Sequence, residues 1–239
     1  MTRRRWIADH VVGSRAVLTG DHADHLVRVL RARLGQDFDV AANGIVRHGR
    51  VVAIDDSRIE FELGDEVPLP PVANLTLLLA IFKFDRMEWT IEKCTELGVA
   101  RIVPVVARRT DAHLASAAAK RIDRWRRVAL QAAEQSRRPA PPEITAPSKL
   151  SDAVKEISGL RIVLSEVELQ VRLRDAVESR PTGRDEEITL AVGPEGGWTN
   201  EELQVFQQAG WISASLGNTI LRAETAAIAA TAIMTSALR

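Results

Sequence analysis

Between Leu190 and Ile228 the sequence runs LAVGPEGGWTNEELQVFQQAGWISASLGNTILRAETAAI, and no other stretch limits the fold so tightly. The apolar run Ile188 to Val192 has the length and composition of a buried strand. It breaks into Gly193-Pro194-Glu195-Gly196-Gly197, where glycine permits positive φ and lets a ligand approach bare backbone. Thr199 stands three residues before Glu202, the spacing of a capping box. Leu203 and Phe206 recur at helical spacing, and Gly210 is placed to end that helix. A second strand, Trp211 to Leu216, runs into Gly217-Asn218, and a helix follows from Glu224 to Leu238. Strand, glycine loop and helix, twice over, predict an α/β fold with a mostly parallel sheet. In such sheets ligands bind at the carboxyl ends of the strands, where these loops lie. Neither loop is a phosphate loop, because no Gly-Lys-Ser/Thr follows, and no G-x-G-x-x-G fingerprint is present.

GPEGG at 193–197 together with LGNTILRAETA at 216–226 resembles the RsmE family of ribosomal RNA methyltransferases, of the SPOUT class. HLVRVLRARLGQDFDV at 25–40, KFDR at 83–86 with EKCTELGV at 92–99, and AAEQSRRPAPPEI at 132–144 are similar to the same family, so the resemblance spans essentially the whole chain. Thr219 departs from it, standing where the family often has Lys or Arg. The resemblance implies a SPOUT-type α/β knot, a deep trefoil that holds S-adenosylmethionine, behind a small PUA-like β-barrel used for RNA binding. On that reading the cofactor is held by Gly193, Pro194, Glu195, Gly196 and Gly197 of the first loop. Leu216, Gly217, Asn218, Ile220, Leu221 and Ala226 join from the second, and Leu164, Ser165 and Glu166 from the end of a strand over Arg161–Ser165. The implied reaction moves a methyl group to N3 of a uracil in 16S ribosomal RNA of the small subunit. Two rival readings are a knotted enzyme acting on a ribose 2′-OH of ribosomal or transfer RNA, and a non-catalytic RNA-binding module.

Composition bounds the rest. Among 239 residues, 32 basic and 32 acidic side chains cancel, so only a local basic patch can attract nucleic acid. Cys94 is the one cysteine, which excludes an internal disulfide and a cysteine-based zinc site and fits a reducing cytosol. MTRRRWIADH lacks the apolar core of a secretory signal, and the apolar stretch Ala226 to Leu238 is too short to span a bilayer, so a cytoplasmic protein is expected. His10, His22, His25, His48 and His113 are scattered, with no metal-ligand spacing among them.

Along the chain, residues 1–67 read as β-rich. Short strands are predicted at Ala16–Leu18, Phe38–Val40, Ile45–Val46, Val51–Ile54 and Ile59–Leu63, with a hairpin at Asn43-Gly44. A helix over Asp21–Arg31 presents Arg28 and Arg31, which with Arg3, Arg4, Arg5 and Arg33 form either a phosphate-contacting surface or a solvated face. Pro68-Leu69-Pro70-Pro71 marks a linker, dividing the chain into an RNA-binding domain over 1–70 and a methyltransferase domain over 71–239. Leu75 to Phe82 reads as a central parallel strand, and the helix Met87–Leu97 carries Glu88, Glu92 and Glu96 on a solvated face. Arg108 and Arg109 follow the strand Ile102–Val106 on the ligand side of the sheet. The helix Ala117–Ser136 and its tail hold Lys120, Arg121, Arg124, Arg126, Arg127, Arg137 and Arg138, either an RNA-contacting or a solvated basic face. A helix plus loop is expected over Val167–Arg184. Lys83, Arg86, Arg108, Arg124 and Arg138, with Arg28 and Arg31, are the expected substrate contacts.

Methylating uracil N3 requires that the ring lose a proton and that charge on O2 and O4 be stabilised. Arg222 is the expected cation. Glu195 and Glu224 are the candidate proton acceptors, although each can equally cap a helix or pair with Arg222. The last helix, rich in small residues, offers with Ile228, Ile233 and Met234 more apolar surface than one small sheet needs, and the resemblance implies that SPOUT domains work as homodimers, so a two-fold homodimer through the carboxy-terminal domain is expected.

Overall fold

A computed structural model describes residues 5–55, 57–69, 74–155, 157, 159–179 and 187–237. Arg3, Arg4, Pro70, Pro71, residues 180–184 and Leu238, each part of an expectation above, lie outside the described residues. The chain divides into two compact units, Met1–Pro70 with Ala133–Pro141, and Pro71–Ala132 with Pro142–Arg239.

The first unit contains β1 (Arg5–Ile7), β2 (His10–Val12), β3 (Arg15–Thr19), α1 (Gly20–Asp24), β4 (Asp37–Ala42), β5 (Ile45–Asp55) and β6 (Arg58–Glu66). They form one sheet in the order β1-β4-β5-β6-β3-β2, antiparallel except for the β1–β4 pair. The sheet curls. Between its two edge strands the Ala8 N–H donates to Ala41 of β4 while the next N–H, of Asp9, donates to Val17 of β3. The curl encloses Leu18, Leu26, Phe38, Val40, Val51, Ile59 and Phe61. Asn43 and Gly44 both take positive φ, 50° and 79°, the tight hairpin that their sequence predicts. The two short strands expected at Ile45–Val46 and Val51–Ile54 are a single strand. β5 passes through a register shift between Arg47 and Gly49, where a Cβ on Gly49 would lie 2.4 Å from a Val40 methyl. The helix expected over Asp21–Arg31 widens after α1 into a π-turn over His25–Val29, and Arg31 at φ 52° ends it.

The segment Ala133–Pro141 packs with this unit. His22 Nε2 lies 3.0 Å from Glu134 Oε2, and the Arg5 guanidinium donates to the Arg137 carbonyl. Trp6 sits 6.2 Å and 5.9 Å from the rings of His22 and His25.

The second unit contains β7 (Leu75–Ala80), α2 (Phe84–Glu96), β8 (Arg101–Val106), α3 (Ala112–Ala117), α4 (Ile122–Gln135, whose end belongs to the first unit), β9 (Glu143–Ile144), β10 (Ser148–Lys149), α5 (Leu150–Ala153), β11 (Leu160–Leu164), α6 (Leu173–Glu178), β12 (Ile188–Val192), α7 (Asn200–Gln208), β13 (Ile212–Ala214) and α8 (Ala223–Ala237). The sheet order is β10-β8-β7-β12-β11-β13, with β9 also on β8, and every pair is parallel. Both faces are covered. Leu75, Leu77 and Leu79 of β7 pack with residues of α2, α4 and α8, while Leu78 and Ala80 pack with residues of α5 and α7. Trp198, Phe206 and Trp211 stack edge to face at 5.0 Å and 4.9 Å, holding α7 to the sheet. Cys94 is buried with its Sγ 3.5 Å from Thr231 Oγ1, and burial pushes its thiol up to about 12, so it is no nucleophile. Among the described residues no helix is long and apolar enough to cross a membrane.

The hydrogen bond that His22 donates to Glu134 raises the His22 pKa, with Asp9 and Asp21 adding to it and burial opposing it. A histidine pKa raised by folding stabilises fully below its unfolded value, about 6.5, and that contribution is lost as pH rises through the folded value. NMR titration is expected to give His22 a pKa above 6.5, falling back toward it in Glu134→Gln. The same His22 pKa in both proteins would rule the pairing out.

Candidate active site

Strand β11 lies between β12 and β13, so the chain segments leaving all three meet at one edge of the sheet. They enclose a cleft with about 850 Å³ of empty space, part of it open to solvent. Leu164, Val192, Leu216, Ala223 and Ala226 give it an apolar floor, and buried Ser165 and Ser215 add hydroxyls. The loop after β12 turns tightly, with the Gly197 N–H donating to the Pro194 carbonyl at 2.8 Å. Gly197 has φ 68°, which favours glycine, and a Cβ there would lie 2.2 Å from Glu166 Oε1 and displace that carboxylate. The capping box closes as its spacing predicts. Thr199 accepts from the Glu202 N–H at 3.3 Å, and the buried Glu202 carboxylate accepts from the Thr199 N–H at 2.9 Å.

All the residues expected to hold the cofactor line this cleft except Gly196, whose carbonyl instead accepts from the Arg109 guanidinium. Sequence reasoning missed Leu169, Val192, Trp198, Ser215, Thr219 and Ala223, which line it as well. Leu169 was hidden because Val167–Arg184 reads as a helix plus loop with no mark of where the helix starts. Instead Glu168 accepts from the Gln170 and Val171 N–H groups, and helix begins only at Leu173. Trp198, directly after GPEGG, was the available signal.

A second cleft adjoins the first and shares Glu195, Ile220 and Leu221 with it. Its other walls are Lys83, Arg86, Arg222 and Glu224. The fold therefore gathers the three expected catalytic residues and two of the expected substrate contacts. Glu224 is buried at the start of α8 and accepts from Arg86 Nη1 at 2.9 Å. It pairs with Arg86 rather than with Arg222, a partner 138 residues away that sequence spacing cannot reveal. Glu195 is exposed, and its Oε1 accepts from the Lys83 backbone N–H at 3.4 Å. Arg222 is exposed, and its carbonyl accepts from the Ala226 N–H in the first turn of α8.

The remaining substrate candidates are dispersed. Arg124 is held by Glu88 through two bonds of 2.6 Å and 2.8 Å. Its neighbours are engaged too: Arg126 donates to the Ile144 carbonyl, and Arg121 lies 4.8 Å over the Phe84 ring. Lys120, Arg124, Arg126 and Arg127 are all exposed on that basic face. Arg108 is exposed, and its backbone N–H donates to Glu202. Arg28, Arg31 and Arg138 belong to the first unit. Arg28 makes a loose 3.9 Å pair with Asp24, Arg31 is exposed, and burial pushes the Arg138 guanidinium down to about 10.

Residues 68–235 match the family described as an RNA methyltransferase domain. The chain belongs to this family. Within the RNA methyltransferase family, one relative is the ribosomal RNA small subunit methyltransferase E of Aquifex aeolicus, 31% identical over 93% of this chain and 94% of its own length. The protein of the same name from Rickettsia conorii is 33% identical, over 92% of this chain and 88% of the relative. Among solved structures, the Neisseria gonorrhoeae ribosomal RNA small subunit methyltransferase E, bound to S-adenosyl methionine, superposes with a TM-score of 0.83 at 30% identity, covering 98% of this chain and 97% of the other. A putative methyltransferase from Legionella pneumophila, with bound SAM, gives 0.82 at 25% identity, covering 99% and 98%.

In this family member the Arg86–Glu224 pair is testable through stability. Removing Arg86 leaves a buried carboxylate without its cation, so Arg86→Met is expected to cost about 1–3 kcal/mol in denaturant unfolding. Adding Glu224→Gln is expected to recover much of that loss. Strict additivity of the two substitutions would mean that the contact carries no coupling.

Proposed function

We propose that the protein transfers the methyl group of S-adenosylmethionine to N3 of a uridine in 16S ribosomal RNA of the small ribosomal subunit. The observation that carries this reading is the pair of adjoining clefts. One is a glycine-walled cradle and the other a basic recess, and Glu195, Ile220 and Leu221 form their common wall. The first suits S-adenosylmethionine, with the missing Cβ of Gly197 and bare backbone on one side and an apolar floor on the other. Leu164, Ser165, Glu166, Gly193–Gly197, Leu216–Asn218, Ile220, Leu221 and Ala226 would hold it, and the group supplies an electrophilic sulfonium methyl. The relatives' names and the bound ligand of the Neisseria structure support the same assignment.

The second cleft is assigned to the target base. Arg222, free of the Glu224 pairing, stabilises the charge that develops on O2 and O4 as N3 loses its proton. Glu195, open to both clefts, accepts the proton. Glu224 fixes Arg86 instead, and Arg86 and Lys83 position the nucleotide. Residues 71–239 form the SPOUT methyltransferase domain with its trefoil knot. Residues 1–70 form a PUA-like domain that grips RNA through Arg28 and Arg31, assisted by Arg108, Arg124 and Arg138. The protein works in the cytoplasm.

Direct displacement at a methyl group demands alignment above all, and charge stabilisation acts on the transition state rather than on cofactor affinity. Arg222→Ala is therefore expected to lower kcat about a hundredfold while leaving S-adenosylmethionine affinity unchanged in calorimetry. Ala226→Phe, which fills the first cleft from a helical backbone, is expected to abolish cofactor binding. Full activity in either variant would displace the assignment.

We further propose a two-fold dimer through the methyltransferase domain. Trp89, Leu97, Ile228 and Ala229 of α2 and α8 line an apolar groove, and Trp89 is 44% exposed. Light scattering at micromolar concentration is expected to give twice the chain mass, and half of it for Trp89→Glu. A monomeric wild type would remove the dimer.

A further inference from the structure

We propose that Arg109 is a positioning residue for the cofactor: from the turn after β8, its guanidinium sets the conformation of the 193–198 loop that walls the cleft. The inference rests on reading that cleft as the S-adenosylmethionine site. Arg109 lies 87 residues from the loop in sequence, and β7 stands between β8 and β12 in the sheet.

The turn that carries Arg109 is itself fixed. The Ala107 N–H donates to Thr110 Oγ1 at 3.1 Å, and the Thr110 hydroxyl donates to the Ile81 carbonyl at 3.0 Å, just past the end of β7. Two ties leave this turn for the segment after β12. The Arg108 N–H donates to Glu202 Oε1 at 2.7 Å, while the other oxygen of that buried carboxylate holds the Thr199 N–H. Arg109 Nη1 donates to the Trp198 carbonyl at 3.3 Å and to the Gly196 carbonyl. The peptide joining Gly196 and Gly197 is thus held at both ends, its carbonyl by Arg109 and its N–H by the Pro194 carbonyl. The Arg109 stem also packs on Gly196, with Cδ 3.1 Å from the place a Cβ would occupy.

Three glycines in five residues give this loop more backbone freedom than residues with a Cβ would at those positions. An untethered loop has to be ordered when the ligand arrives, and that ordering subtracts from affinity. One guanidinium nitrogen, Nη1, serves both carbonyls, and a lysine ammonium, one bond closer to the backbone on a flexible stem, reaches them less well. Gly196 is the one residue of 193–198 that does not line the cleft, as expected if its carbonyl faces the tether instead.

The test uses the full-length protein, calorimetry with S-adenosylmethionine, and steady-state methylation of ribosomal RNA. Arg109→Ala is expected to weaken cofactor binding about tenfold or more. It should raise KM for S-adenosylmethionine, with kcat at saturating cofactor and KM for RNA retained. Arg109→Lys is expected to fall between it and the wild type, and it carries the test alone if the alanine variant fails to fold. Wild-type cofactor affinity in a folded Arg109→Ala, or in Arg109→Lys where only that variant folds, overturns the proposal. So does a raised KM for RNA with cofactor affinity intact, which would assign the guanidinium to RNA. A wild-type protein that binds no S-adenosylmethionine would instead refute the underlying reading of the cleft.

Discussion

Strand β11 pairs through Leu160–Val163 with β12 on one side and through Ile162–Leu164 with β13 on the other, and the site depends on that insertion. β12 and β13 are consecutive in sequence, joined through α7, yet they are not neighbours in the sheet. Their glycine loops consequently stand on opposite sides of the β11 terminus rather than crowding together, and the space between them is the cleft. Parallel pairing sends all three carboxyl ends to the same edge. A strand order of β11-β12-β13 would have put both loops on one side of β11 and left Ser165 and Glu166 outside them.

The charges of this chain cancel overall, and several of them are engaged in pairs. Arg124 with Glu88, Arg174 with Glu178 and Lys93 with Glu92 and Glu96 are partly exposed pairs of the kind that add little stability. Their effect is on charge distribution. Of these only Arg124 lies on α4, while at the second cleft Lys83, Arg86 and Arg222 stand together with Glu195 and with Glu224, which pairs with Arg86. For a neutral protein that must approach a polyanion, where the cations lie matters more than how many there are.

Much of this was legible in the sequence where a local rule acts. The nearly all-apolar run at Leu75–Ala80 reads as a strand buried on both faces, and Asn43-Gly44 as a hairpin. Thr199 and Glu202 announce the start of α7. What was not legible depends on partners far away. β1 and β2 are three residues each, too short for alternation to register, and they exist because β4 and β3 offer them edges. The split of α4, whose last turn belongs with the first unit, has no compositional mark, since His22 and Glu134 are far apart in sequence. The glycine loops identified the cleft, but not the carboxylate that would be withdrawn from chemistry: Glu195 and Glu224 look alike until Arg86 is found beside Glu224.

We propose that the two adjoining clefts deliver a methyl group to uracil N3. This proposal is tested most directly by incubating the protein with unmodified small-subunit ribosomal RNA, free or assembled, and S-adenosylmethionine, then digesting the RNA to nucleosides for mass spectrometry. The account predicts 3-methyluridine, in an amount that rises to one per RNA molecule. A methyl group on the ribose, on another base, or on no nucleoside at all would contradict it.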